Sequence, residues 1–333
     1  MQELTDRFGR AHHYLRISVT DRCNLRCLYC MPEEGASFTE SDKLLSYDDI
    51  EKVVRAGASL GIRKLRITGG EPLVRPRLAE LIQRLSRIPG ITDIAMTTNG
   101  IFLAKEAHAL KAAGLNRVNI SLDTLDPARF RLIARSGGIQ RVLEGIESAC
   151  DAGFHPVKLN CVLLKGLNED EIAAFLELAY EKPLHVRFIE YMPIGHADDG
   201  WKKHYLPLQK VMDIARQQGY RLTREDGVTG SGPSENWQME GAQGSFGLIH
   251  PVSDQFCRSC NRLRLTADGH LKPCLYWVDE LNVKQALGSE EDMKQLFYRA
   301  MAIKPENHEM AMKLAGEGQS HTPTSRRMSQ IGG

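Results

Sequence analysis

The chain has 333 residues, 42% of them hydrophobic and 26% charged, with a formal net charge of +1. That is globular composition, long enough for one large α/β domain or two smaller ones. The charge balance gives no global basic field for nucleic acid or an anionic membrane, and no apolar run is long enough to span a bilayer. Residues 1–7 hold no apolar signal core, so the expectation is a soluble cytoplasmic protein with no membrane or nucleic-acid partner.

Residues 15–20 form a short β-type run that ends at a cysteine loop. Apolar residues then recur at helical spacing over 48–60 (Ile50, Val53, Val54, Ala58), and Gly61 stops that helix. A strand over 64–68 leads into Gly69-Gly70-Glu71-Pro72. The alternation continues with a helix over 77–87, a strand over 91–97, a helix over 103–113 and a strand over 117–121. A helix over 140–151, a strand over 157–164, a helix over 169–180, a strand over 185–191 and a helical candidate over 207–218 follow. Six strands alternating with helices mean parallel βα units with right-handed crossovers. A closed barrel of this kind takes eight units, so six predict an open, partial barrel whose side opening admits a large substrate. Sites in such folds gather at the C-terminal ends of the strands, and Cys23, Gly69, Gly70, Thr97, Asn99, Ser121 and Met192 lie at or just past those ends. Beyond about Gly219 the texture changes. Gly, Ser, Pro and Asn crowd residues 226–247, which reads as loops and short strands. Helical patterns return near 280–287 and 291–301, and residues 320–333 read as polar and irregular.

Of eight cysteines, six fall into two tight groups. In a reducing compartment such groups read as metal ligands more readily than as disulfides. Cys150, on a helical pattern, and Cys161, in an apolar run, read as small buried hydrophobes. Cys23, Cys27 and Cys30 can turn three thiols from one loop onto one centre. A four-iron cluster takes one thiolate per iron, so three thiolates leave one iron open to a ligand. Zinc completed by His12 or His13 fits poorly, because zinc prefers paired Cys-x-x-Cys knuckles with two further ligands. The second group is Cys257-Arg258-Ser259-Cys260 with Cys274. Taken alone it reads equally as zinc with His250 or His270 as fourth ligand; beside the first group, a second cluster with an open iron is the better reading.

Gly69-Gly70 lets backbone approach a ligand closely, where its polar groups can pair with an amino acid's ammonium and carboxylate. Arg16, Arg66, Lys158 and Arg187 sit inside apolar β runs, where an unpaired charge is costly, so they are expected to point into a polar cavity. Arg262 and Arg264 share one side of an extended segment. Guanidinium forks suit phosphate oxygens, and converging cations imply a polyphosphate substrate. No Gly-x-x-x-x-Gly-Lys-Ser/Thr loop is present, so the usual nucleotide-hydrolase reading lacks its main support.

Cys23-x-x-x-Cys27-x-Tyr29-Cys30 resembles the signature of the radical S-adenosylmethionine (SAM) enzymes. Over essentially the whole chain the resemblance narrows to the GTP 3′,8-cyclase family of molybdenum-cofactor synthesis. It is carried by Asp21-Arg22-Cys23-Asn24-Leu25-Arg26-Cys27, Arg66-Ile67-Thr68-Gly69-Gly70-Glu71-Pro72-Leu73, Thr97-Thr98-Asn99-Gly100, Asn119-Ile120-Ser121-Leu122-Asp123 and Arg187-Phe188-Ile189-Glu190. Asn261-Arg262-Leu263-Arg264 between Cys260 and Cys274, and the terminal Gly332-Gly333, carry it further. The resemblance implies an α/β fold: a radical-SAM-type partial six-unit βα barrel over residues 1–220, with a 4Fe–4S cluster on Cys23, Cys27 and Cys30. It implies a C-terminal extension over 221–333 with a second 4Fe–4S cluster on Cys257, Cys260 and Cys274, the GTP site, and a Gly-Gly tail reaching into it.

The same resemblance implies SAM contacts from Tyr29, Gly70, Ser121 and Met192. GTP contacts fall to Arg16, Arg66, Thr97, Lys158, Arg262 and Arg264, and catalytic roles to Arg262, Arg264, Gly332 and Gly333. One-electron cleavage of SAM would give a 5′-deoxyadenosyl radical that removes hydrogen from C3′ of GTP. The C3′ radical would attack C8 of guanine, which the second cluster binds through its open iron. The implied partners are GTP, an external electron donor and the next enzyme, cyclic pyranopterin monophosphate synthase; a homodimer is allowed. A peptide-modifying radical enzyme would usually carry more C-terminal cysteines. An electron-transfer or zinc protein would not need the six-unit barrel or Gly69-Gly70.

Overall fold

A computed structural model describes residues 3–31, 38–195, 200–225, 232–253, 256–318 and 321–332, and one sheet of twelve strands runs through them. Six strands lie side by side in chain order, all parallel: β1 (Tyr14–Ser18), β2 (Lys64–Thr68), β3 (Asp93–Thr98), β4 (Arg117–Ser121), β5 (Val157–Leu163) and β6 (Leu184–Glu190). The later strands are β7 (Leu222–Glu225), β8 (Glu235–Met239), β9 (Ser245–Ile249), β10 (Arg262–Leu265), β11 (His270–Lys272) and β12 (Leu281–Asn282). β9 joins β6 in parallel and carries β8 and β7 beyond it, antiparallel. β10 joins β1 in parallel and carries β11 and β12, again antiparallel. The order has two ends, β12 and β7, so the barrel is open, as six units predict. The chain after β6 covers both edges that the six parallel strands would otherwise leave unpaired.

The helices are α1 (Tyr47–Ser59), α2 (Leu78–Ser86), α3 (Leu103–Ala112), α4 (Pro127–Ala134), α5 (Ile139–Asp151), α6 (Ile172–Glu181), α7 (Gln209–Gln217), α8 (Glu290–Ala302), α9 (Met310–Ala315) and α10 (Met328–Ile331). α1 begins at a capping box, with Ser46 and Asp49 each accepting the other's backbone N–H, and buries Ile50, Val53 and Val54. α4 starts with Pro127 in its first turn and the Asp126 carboxylate accepting the Arg129 N–H.

Strand alternation divides the sheet into two faces. On one face Leu15, Ile17, Leu65, Ile67, Val118, Ile120, Leu159, Val186 and Phe188 are fully buried in the main core with the helices. Each contributes roughly 1.5–3 kcal/mol of transfer free energy. The opposite positions hold Arg16, Arg66, Thr97, Asn119, Lys158, Asn160 and Arg187. The apolar face holds the fold together, which leaves the inner face available for polar groups.

Two local expectations are corrected. The pattern near 280–287 is not an α-helix but β12 followed by a 3₁₀ turn over Val283–Ala286, where pairing with β11 overrides local propensity. The last residues are not irregular throughout, because α10 makes one turn there. α4 and α9 were not foreseen.

Candidate functional site

The cysteine loop leaves β1 and is held on two sides by backbone. Gly70 N donates to Thr20 O (2.6 Å) and Glu71 N to Arg22 O (2.8 Å), which fastens the loop to the end of β2. Opposite them, Arg26 N and Leu28 N donate to the carbonyls of Ala134 and Ile133 at the end of α4 (3.0 Å each). Gly69 and Gly70 are glycines for a steric reason. A Cβ on Gly69 would lie 2.5 Å from Thr20 O, and one on Gly70 would lie 2.6 Å from the Arg22 carbonyl carbon. Cys23, Cys27 and Cys30 line one cavity together with Tyr29, Gly70, Ser121 and Met192. Its volume is about 260 Å³, far above the ~10–15 Å³ that one water occupies, so the cavity is ligand-sized.

Burial pushes the Cys23 thiol up to about 11 and Cys30 up to about 12, and Cys27 rises well above its ordinary value. The other thiols and Asp123 add to the rise at Cys27. Three thiols this crowded need a cationic centre to ionise together. Leu25 N (3.4 Å) and Asn99 Nδ2 (3.8 Å) point at Cys23 Sγ, and Tyr276 N at Cys274 Sγ (3.5 Å). Three thiolates suit a four-iron cluster, which takes one per iron, and leave its fourth iron open.

Glu71, 1% exposed, secures the neighbourhood: it accepts from Leu73 N, Thr98 Oγ1 (2.7 Å) and Asn99 N (2.6 Å). Tyr29 donates its hydroxyl to Asp123 Oδ2 (2.6 Å), and the other Asp123 oxygen accepts from Val162 N.

The cations converge as the alternation requires. Arg264, Arg16 and Arg66 lie in register on β10, β1 and β2, where like charges side by side are unfavourable. Arg16, Arg66, Thr97, Arg187, Arg262 and Arg264 all line the cavity. Lys158 does not reach its wall; it lies buried and in register between Asn119 and His185. Arg66 donates to the Tyr14 hydroxyl and to Thr97 Oγ1, and Arg187 Nη2 to Asn119 Oδ1 (2.5 Å). These neutral oxygens orient the guanidinium groups without cancelling their charge. Burial, then neighbouring arginine, lowers Arg264 to about 10, Arg187 to about 9 and Lys158 to about 7. Buried and without partners among the described residues, Arg187 Nε and Asn160 Oδ1 are left for a ligand.

Cys257, Cys260 and Cys274 line an adjoining, smaller cavity, and Arg262, Arg264 and Met192 line both. Arg10 binds the carbonyls of Cys257 (2.8 Å), Pro305 and Glu306, and Lys304 Nζ donates to Arg262 O (2.9 Å). Burial alone would raise Cys260, but Lys304, Arg262 and Arg10 bring it down to about 6. The histidines named for zinc are elsewhere. His250 lies against Glu190 and Glu235, and His270 against Asp268 and Glu280. His308 is the histidine beside this triad, so the zinc set with His250 or His270 does not form. From the tail, Gly332 O accepts from Arg264 Nη1 (2.6 Å), with φ +70° and no room for a Cβ, which would lie 2.5 Å from Thr68 Cγ2. Gly333 lies outside the described residues. Cys161 is buried as expected, but Cys150 is exposed on α5 and is no core hydrophobe.

Arg10, Lys304, Glu71, Asp123 and Asn160 were not singled out from the sequence as site residues. Asn160 carried a signal, two positions from Lys158 on one strand face; the others act through contacts made far along the chain.

Residues 17–179 match the model of the radical SAM superfamily, and residues 184–310 that of Molybdenum Cofactor Synthesis C. The chain is 55% identical to a GTP 3′,8-cyclase of Listeria monocytogenes and 50% identical to one of Limosilactobacillus fermentum, covering 100% of both chains in each case. Among solved structures it is similar to Streptococcus suis SuiB bound to its precursor peptide SuiA. The TM-score is 0.60 at 17% identity, over 86% of this chain and 64% of that one, a likeness of fold alone.

Proposed function

The chain belongs to the GTP 3′,8-cyclase family of the radical SAM superfamily, and from that premise we propose how its residues divide the reaction. It converts GTP to (8S)-3′,8-cyclo-7,8-dihydroguanosine 5′-triphosphate, the first step of molybdopterin synthesis. When bound, two 4Fe–4S clusters and SAM supply one-electron cleavage of SAM and the radical chemistry at C3′ and C8 of GTP.

The observation that carries the division of labour is the pair of adjoining cavities. One opens on Cys23, Cys27 and Cys30, the other on Cys257, Cys260 and Cys274, and Arg262 and Arg264 face both. On this reading residues 1–220 hold the first cluster and SAM, through Tyr29, Gly70, Ser121 and Met192. Residues 221–333 hold the second cluster and the guanine. Arg16, Arg66, Thr97, Lys158, Arg262 and Arg264 bind and orient GTP. Arg187, which also faces the cavity, joins them. Lys158 acts from behind the wall, through the charged form that a bound polyanion favours. Gly332 brings backbone against Arg264, and the Gly332-Gly333 tail takes a catalytic role by excluding water from the reacting atoms. An external carrier delivers the electron. The enzyme works in the cytoplasm, where thiols stay reduced. The hand-over to cyclic pyranopterin monophosphate synthase and a homodimeric form rest on the family alone.

Anaerobic incubation with GTP, SAM and a reductant, followed by chromatographic separation and fragment-mass analysis of the nucleotides, tests the reading. A product isobaric with GTP but cyclised, with 5′-deoxyadenosine formed alongside, is expected. Unchanged GTP with both clusters present overturns it.

A further inference from the structure

The tail that delivers Gly332 has a second attachment. Arg326 lies six residues before Gly332, and its guanidinium forms a fork on Glu280, Nε to Oε2 (2.8 Å) and Nη2 to Oε1 (2.7 Å). Nη2 also reaches Asp268 Oδ2 (2.9 Å). The receptor is itself braced: Lys272 Nζ lies 3.4 Å from Glu280 Oε2, and the Thr266 hydroxyl donates to Asp268 (2.5 Å). Asp268 sits in the turn between β10 and β11, the hairpin whose first strand carries Arg264. One hairpin therefore grips the tail twice, at Arg326 through its turn and at Gly332 through its strand. Two backbone bonds, Thr324 N to Tyr276 O (2.7 Å) and Val278 N to Thr322 O (3.0 Å), align the approach.

We propose that Arg326 is the positioning residue of the C-terminal tail: its fork on Glu280 and its bond to Asp268 set where Gly332 meets Arg264. The inference rests on the reading above, in which the tail takes part in the site. The chemistry favours arginine at this position. A planar fork satisfies both oxygens of one carboxylate and still reaches a second, so it fixes direction as well as distance. At the far end one nitrogen, Arg264 Nη1, meets the carbonyls of Ile331 (3.3 Å) and Gly332 (2.6 Å) beside the buried Ile331 side chain, contacts that give less direction than a planar fork. All three side chains keep about a fifth of their surface exposed, so solvent screens the pair and its role is geometric more than energetic.

The test is a charge swap in the full-length, cluster-loaded enzyme. R326E is expected to lower kcat for GTP about ten- to a hundredfold, the order of one charge-assisted hydrogen bond. KM for SAM and the iron content should stay unchanged. R326E/E280R restores one opposite-charge pair but sets the new carboxylate against Asp268 and the new guanidinium against Lys272, so it should stay well below wild type. R326K, which keeps the charge but not the fork, should fall between, and it serves if R326E fails to fold. Wild-type turnover in both R326E and R326K overturns the proposal, as does full recovery in R326E/E280R, which would mean that the bond to Asp268 has no part in it. A chain lacking Gly332 and Gly333 separates this from the parent reading. If that chain is inactive while R326E is active, only the anchor fails; if both are active, the tail itself has no role.

Discussion

Glu71 has two oxygens and three donors to serve, and no solvent. Burial pushes its carboxyl up to about 7 against the pull of Asn99, Leu73 and Thr98. Glu71→Gln keeps the shape but turns an amide NH₂ toward either Asn99 N–H or Leu73 N–H, since each oxygen accepts from one of them. The expected result is a loss of about 1–3 kcal/mol, seen as a lower urea midpoint at unchanged m-value; an unchanged midpoint contradicts the geometry. His185 makes the opposite kind of test. It is 1% exposed, and burial, then Arg187, holds it down to about 2. Unfolded, it takes a proton near its ordinary value of 6.5, so as pH falls below 6.5 the unfolded state binds the proton and the native state does not. Stability is therefore fully present above 6.5 and is lost on acidification, by up to about 1.4 kcal/mol per pH unit. Between pH 7 and 5 the native chain should lose about 2 kcal/mol more than His185→Gln loses. Parallel urea midpoints for the two chains would show that His185 titrates freely.

At the scale of elements, the site depends on loops held by backbone. The end of β2 meets the cysteine loop with no side chain between them, so Gly70→Ala must displace the carbonyl groups of Asp21 and Arg22, which lie within 2.7 Å of the new Cβ. Iron per chain should drop from about eight toward about four, with the second site still filled; full iron content would mean the loop adjusts without consequence. What the sequence revealed follows the same division. Lys64–Thr68 and Arg117–Ser121 form strands where they are read, because a period of two is a local property. The cysteine triplets are legible for the same reason. The partners of β9 and β10 are not, since a strand's residues do not say which edge they will meet. Val283 and Ala286 are both buried, and their spacing reads as helix until β12 pairs with β11. Cys150 shows the limit from the other side: its helix is read correctly, but the turn of α5 that it occupies faces outward.

Taken as a whole, the molecule places its last third on both edges of the six-strand unit, and this brings the two halves of the site together. With β10 beside β1, Arg264 extends the row begun by Arg66 and Arg16. The row cannot be explained by packing: its members repel one another, and burial with that repulsion drives Arg16 well below its ordinary value. A polyanion relieves this strain, so ligand binding and stability must be coupled. At a hundred times its Kd, GTP should stabilise the folded chain by about 2.7 kcal/mol, a rise of a few degrees in Tm. Inorganic triphosphate should reproduce a share of that rise that shrinks as salt is added, and guanosine, without the charge, should give less than either. Arg264→Ala should weaken the GTP-dependent rise and leave the SAM-dependent rise nearly untouched, since the residues assigned to SAM lie on the cysteine loop and at or just past the ends of β2, β4 and β6. Guanosine matching GTP would move the cations from substrate binding to structure, and equal loss of both ligand effects in Arg264→Ala would make that residue part of the scaffold.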